Sequence, residues 1–169
     1  QKEESDKKNH SVLLVTGSDP QKNARWAILE LLKLSHKIDN MYLAGIESAA
    51  ESGLSTSQNV HYLGFQSQSN LEKYYKDCYL LIIPSLEESF GVPLIEALSK
   101  NCRVCASRTG ALPEIGGAFI NYFNLNDSNS FVEAVDAALN QKHDWPRLSK
   151  YLESFAPKAV SEKAREIIL

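Results

Sequence analysis

The chain has 169 residues, a formal net charge of -3, 43% apolar and 23% charged residues, which are ordinary values for one globular domain with a core of its own. Charges of both signs are interspersed, which excludes a nucleic-acid footprint and a basic membrane-surface patch. No apolar run approaches membrane-spanning length, and none reads as a signal peptide.

Residues 1–10, QKEESDKKNH, open on Gln1 and are polar throughout. They read as a linker or fragment end, with the expectation that residues 11–169 form one domain of a longer protein. Val12 to Thr16 (VLLVT) is the first predicted strand, and about Gln21 to Ser35 is a helix carrying Trp26, Leu29 and Leu32. Met41 to Gly45 and Val60 to Leu63 are the next strands, the latter closed by Gly64; Leu71 to Lys76 is helical. Tyr79 to Ile83 (YLLII) is apolar at every position but its first, as a strand covered on both faces requires. Val92 to Lys100 is a helix, Arg103 to Ala106 and Ala118 to Tyr122 are strands, and Asp127 to Asn140 is an amphipathic helix with Phe131, Val135 and Leu139 on one face. Helices over His143 to Phe155 and Pro157 to Leu169 close the chain. Strands alternating with helices predict right-handed βαβ units, an α/β fold with a doubly wound, parallel, six-stranded sheet and helices on both faces. Ligands of such sheets bind beyond the carboxyl ends of the strands, where the strand order switches.

Three cysteines, Cys78, Cys102 and Cys105, are an odd and sparse set that points to a reducing compartment rather than a disulfide framework. Cys102-Arg-Val-Cys105 is formally CxxC, but it runs into an apolar segment and reads as two small residues at the start of a buried strand. The four histidines are scattered, and no DxD occurs, so the sequence offers no metal site.

The loop after the fourth strand, PSLEESFGVPLIEA, carries the most chemistry. Gly91 leaves room for a close backbone approach, and Pro93 suits a first helical turn. That leaves the N–H groups of Val92, Leu94 and Ile95 as a cradle for an anion, most naturally phosphate. Glu88 before the turn and Glu96 one helical turn beyond it are each able to accept hydrogen bonds from sugar hydroxyls. Taken singly, either glutamate reads as a solvated or dipole-favoured charge; the grouping suggests a nucleotide-sugar site. In the first strand's loop, TGSDPQKN, Gly17 permits a tight turn and Lys22 is within reach of a bound diphosphate. Neither GxGxxG nor GxxxxGK[ST] is present.

These residues resemble a known family. ESFGVPLIE, Glu88 to Glu96, resembles the EGFGxPxxEA signature of retaining GT-B glycosyltransferases, in particular glycosyltransferase family 4. SDPQKN, VHYLGF, LEKYYKDCYLLIIPS, NCRVCASRTGALPEIGG and INYFNLND resemble further family segments, in the right order, over nearly the whole chain after residue 10. The resemblance implies a Rossmann-like donor-binding half of a GT-B fold, with the N-terminal acceptor half absent from this chain. It implies that Glu88 contacts the transferred sugar and that Glu96 holds the ribose hydroxyls. Ser89 stands in the glycine position of EGFG, and the N–H groups of Phe90 and Gly91 would meet sugar hydroxyls. Leu94, Ile95 and the Lys22 side chain would meet the diphosphate, beside the Gly17-Ser18 turn. Backbone near Gly64-Phe65 would contact the base. Many members carry an arginine before that lysine; here Gly17 is followed by Ser18, and Arg25 comes after Lys22.

The implied reaction is metal-independent, retaining transfer of a hexose, of mannose or glucose type, from a GDP- or UDP-sugar to a glycan or lipid-linked acceptor. The nucleotide-sugar is a substrate and no cofactor is expected. The isolated domain would be inactive, and the whole enzyme would be cytoplasmic, with peripheral contact at the inner face of the membrane. A non-catalytic nucleotide-sugar-binding module and one half of a nucleotide-sugar epimerase are the alternatives.

Overall fold

The structure, a computed structural model, describes residues 10–17, 19–52, 58–142 and 144–155. Of the polar opening stretch it includes only His10, whose backbone is hydrogen-bonded to Asp39. Ser18, His143 and the helix predicted over Pro157 to Leu169 lie outside the described residues.

Six strands, β1 (Ser11–Val15), β2 (Asn40–Ala44), β3 (Val60–Gly64), β4 (Leu80–Ile83), β5 (Arg103–Ser107) and β6 (Asn121–Phe123), form a sheet in the order β3-β2-β1-β4-β5-β6. Every neighbouring pair is parallel. The helices are α1 (Ala24–Lys33), α2 (Ala49–Ser52), α3 (Gln68–Asp77), α4 (Val92–Ser99), α5 (Leu112–Gly116), α6 (Ser128–Asn140) and α7 (Trp145–Glu153). The expected Rossmann-like fold is thus present, with helices on both faces. Successive strand side chains point to opposite faces, so Val12, Leu14, Leu80 and Ile82 pack in one core with α1 and α6. Leu13, Leu81, Ile83 and Val104 pack in the other, with α3, α4, α5 and α7. Ser67, Asp127 and Asp144 start α3, α6 and α7 by accepting a backbone N–H three residues on.

The predicted elements shift where turn chemistry overrides periodicity. The helix expected from Gln21 splits into a 3-10 turn, Pro20–Lys22, and α1, because Asn23 between them is left-handed at φ 49°. The sixth strand begins at Asn121 rather than Ala118. The short helix α5 and the turn through Gly117, at φ 52°, occupy the residues before it. Short helix α2 was also unforeseen. Cys102 and Cys105 are buried free thiols, as the strand reading of CxxC expected.

β1 and β4 are neighbours, yet the chain leaves β1 toward β2 on one side and leaves β4 toward β5 on the other. Their following loops diverge there and open a crevice. Lys22 is carried by the first loop and Glu88 by the second.

Candidate functional site

The two loops are tied at the crevice by backbone and by charge. The Leu86 N–H donates to the Gln21 carbonyl at 2.8 Å, and the Lys22 ammonium donates to Glu88 Oε2 at 2.8 Å. Oε2 also accepts from the Ser85 hydroxyl at 3.4 Å, while Oε1 accepts from the Gly91 N–H at 3.3 Å. The Glu88 side chain is 13% exposed and that of Lys22 33% exposed, so one carboxylate and one ammonium face each other at the rim of the crevice. Burial alone pushes the Glu88 carboxyl up, but the hydrogen bond and charge of Lys22, with Gly91 and Ser85, hold it below its ordinary value. It is therefore an ionised acceptor at neutral pH.

The loop after β5 fixes the Glu88 backbone from behind. The Ala111 N–H donates to the Glu88 carbonyl at 2.9 Å. Ser107 and Thr109 hydroxyls both donate to the Ser85 carbonyl, at 2.6 and 2.9 Å. Gly110 has φ 52°, and a Cβ there would lie 2.2 Å from the Glu88 carbonyl oxygen, so only glycine allows this approach. Sequence reasoning marked this stretch as a strand-end loop but missed Ser85, Ser107, Thr109 and Gly110 as supports. Their one signal is small polar residues and glycine directly after a buried strand.

The helix start differs from expectation in one respect. Gly91 is the N-cap of α4 at φ 69°. Its carbonyl accepts from both Leu94 and Ile95, at 3.0 and 3.3 Å. The N–H groups of Leu94 and Ile95 are therefore not free, because the first turn closes tightly on its cap. Pro93 has no N–H, and the Val92 N–H is left without a partner among the described residues. Ser89 is exposed, and the side chains of Phe90 and Val92 stand half out of the surface beside this turn. Glu96 lies on the first turns of α4, and both its oxygens are engaged: Gln68 Nε2 donates to Oε1 at 2.7 Å and the Tyr75 hydroxyl to Oε2 at 3.1 Å.

Gly17 ends the first loop's approach to β2, where Gly45 at φ 96° is so close that a Cβ would meet the Thr16 carbonyl at 2.0 Å. Gly64 closes β3 at φ 62°, and Phe65 beyond it is 90% exposed. These two residues lie two strands to the side of β1, a lateral offset of about 10 Å at the usual strand spacing. A line along the carboxyl edge of the sheet thus runs from Phe65 past Gly17 and Lys22 to Glu88 and Gly91. Arg25, on α1, is exposed. Among the described residues, no group of three or more His, Cys, Asp or Glu side chains is gathered as a metal site, and no helix is long and apolar enough to cross a membrane.

Comparison with known proteins bears on this arrangement. The sequence model of the family described as "Glycosyl transferases group 1" matches residues 10–141. The serotype-specific mannosyltransferase WbdA of Escherichia coli is 34% identical over 110 residues, 64% of this chain and 13% of that protein. An uncharacterized glycosyltransferase, MJ1607, of Methanocaldococcus jannaschii is 33% identical over 112 residues, 65% of this chain and 28% of its own length. The crystal structure of a glycosyltransferase from Rickettsia africae superposes with a TM-score of 0.75 at 19% identity, covering 95% of this chain and 47% of that one. The chain therefore spans a minor part of each of these proteins, and the last likeness is one of fold.

Proposed function

Because the chain belongs to the group 1 glycosyl transferases, we propose that it is the donor-binding, C-terminal half of a retaining GT-B enzyme. It holds a GDP- or UDP-linked hexose, of mannose or glucose type, for transfer to a glycan or lipid-linked acceptor. The observation that carries this reading is the Lys22–Glu88 pair, 2.8 Å apart at the switch between β1 and β4. A cation beside an ionised carboxylate is the pairing that a diphosphate and the hydroxyls of its sugar would need. Mannosyltransferases among the relatives favour mannose as the sugar.

The donor's C1–O bond breaks with oxocarbenium character and its electron pair passes to the departing diphosphate; the acceptor hydroxyl oxygen bonds to C1 on the same face and gives its proton to the leaving phosphate oxygen. Lys22 and the positive end of α4 stabilise that charge as it grows. The Val92 N–H, at the first turn of α4, is the donor left to meet it, and Leu94 contributes through the helix dipole rather than through a free donor. Glu88 orients the hexose from below. Glu96 accepts from the ribose diol, and the base lies toward Gly64 and Phe65. No step uses a metal or cofactor. The acceptor binds on the second domain of the longer protein, and closure of the two halves completes the site. On this reading the whole enzyme works in the cytoplasm, with peripheral contact at the inner face of the membrane where a lipid-linked acceptor would be met.

Transfer by the longer protein from GDP- and UDP-hexoses, followed by NMR of the product anomer, tests the reading. A product of retained configuration, with Lys22→Ala lowering kcat roughly 10²–10³-fold, is the expected result. Binding without turnover would instead make this a nucleotide-sugar-binding module.

A further inference from the structure

Glu96 is held from outside its own helix. Gln68, Glu72 and Tyr75 recur at i, i+4 and i+7 on α3, one face of that helix, and this face is turned to α4. Gln68 and Tyr75 donate to the two oxygens of Glu96, and Lys100, one turn after Glu96, pairs with Glu72 at 3.1 Å. Tyr75 is fully buried in the apolar core beside α4. Phenylalanine would fill the same space, so packing does not require the hydroxyl. Its hydrogen bond to Glu96 is the polar contact that satisfies it. Burial first, then the neighbouring Glu96 charge, push the Tyr75 phenol up, which keeps it a donor at every working pH.

We propose that Tyr75, with Gln68, is a positioning residue that sets the donor site's selectivity for a ribose diol, an inference that rests on the function proposed above. Two donors from one rigid helix fix both the rotation and the plane of the Glu96 carboxylate. They leave each oxygen a further lone pair with which to accept. A vicinal diol donates to both oxygens at once, whereas a deoxyribose donates to one. Without the clamp the carboxylate rotates about its own side chain, and part of the diol's advantage is spent on ordering it.

The test is calorimetric titration of the chain with whichever of GDP, UDP and ADP binds tightest and with its 2′-deoxy counterpart. Wild type, Tyr75→Phe, Gln68→Ala and Glu96→Ala are compared, with thermal unfolding of each. The expected result is that Tyr75→Phe loses roughly three- to tenfold in affinity for the ribonucleotide and little for the deoxynucleotide. Gln68→Ala does the same more weakly, and Glu96→Ala abolishes the distinction. If Tyr75→Phe weakens both ligands equally, or lowers only the unfolding temperature while Glu96→Ala still erases selectivity, the contact is a helix-to-helix tie and the positioning role is overturned. If wild type binds no nucleoside diphosphate, the proposed function falls and takes this inference with it.

Discussion

Glu88 and Lys22 hold each other at the crevice, and the hydrogen bond and charge of Lys22 help keep the Glu88 carboxyl below its ordinary value against the effect of burial. Because its folded-state pKa lies below the ordinary 4.5, the pair adds stability above that pH and loses it as pH falls through the lowered value. Lys22→Met should therefore cost at most about 1 kcal/mol, in full above pH 4.5 and fading as pH falls through the lowered value. Urea unfolding of both proteins across the acid range measures the gap. A gap that widened on acidification would contradict the pairing. The same substitution removes the charge proposed to meet a diphosphate, so ligand affinity should fall far more than stability does. A structural ion pair would show the reverse.

The elements matter here for how they bring two loops together. The loop after β5 backs the loop after β4, and Gly110 is the point of closest approach. Gly110→Ala puts an alanine at φ 52° and its Cβ 2.2 Å from the Glu88 carbonyl oxygen at once, so the loop must shift. The expected cost is roughly 1–3 kcal/mol, with loss of ligand binding, and chemical denaturation checks it. A variant as stable as wild type would mean that the loop yields and does not brace Glu88. Much of this scale was legible beforehand. The strands announce themselves as apolar runs because a sheet covered on both faces needs them, and Pro93 and Gly91 mark the start of α4. What periodicity could not give was set by single backbone angles. Asn23 in the left-handed region cuts the first helix, and the Gly116-Gly117 turn delays β6. The clamp on Glu96 was invisible for another reason. Tyr75 lies in the stretch LEKYYKDCYLLIIPS, but nothing in one sequence says which helix faces which.

For the whole molecule, strand order decides where chemistry is possible. Lys22 and Glu88 are 66 residues apart in the chain and meet only because β1 and β4 are neighbours in the sheet. The two cores on either side of that sheet contain all three thiols. Burial pushes the Cys105 thiol up, away from reactivity. An aromatic disulfide reagent should thus label no cysteine of the native chain and three after denaturation; prompt labelling of the native chain would show that a core is open. The central claim, that the crevice at the β1–β4 switch is a nucleoside-diphosphate site, is tested most directly by titrating the chain with GDP, UDP and ADP in a calorimeter, alongside Lys22→Ala. Saturable heat with one of the three, weakened at least tenfold by the substitution, is the predicted result. Binding of equal strength in the variant, or no heat from any of the three at millimolar concentration, would contradict it.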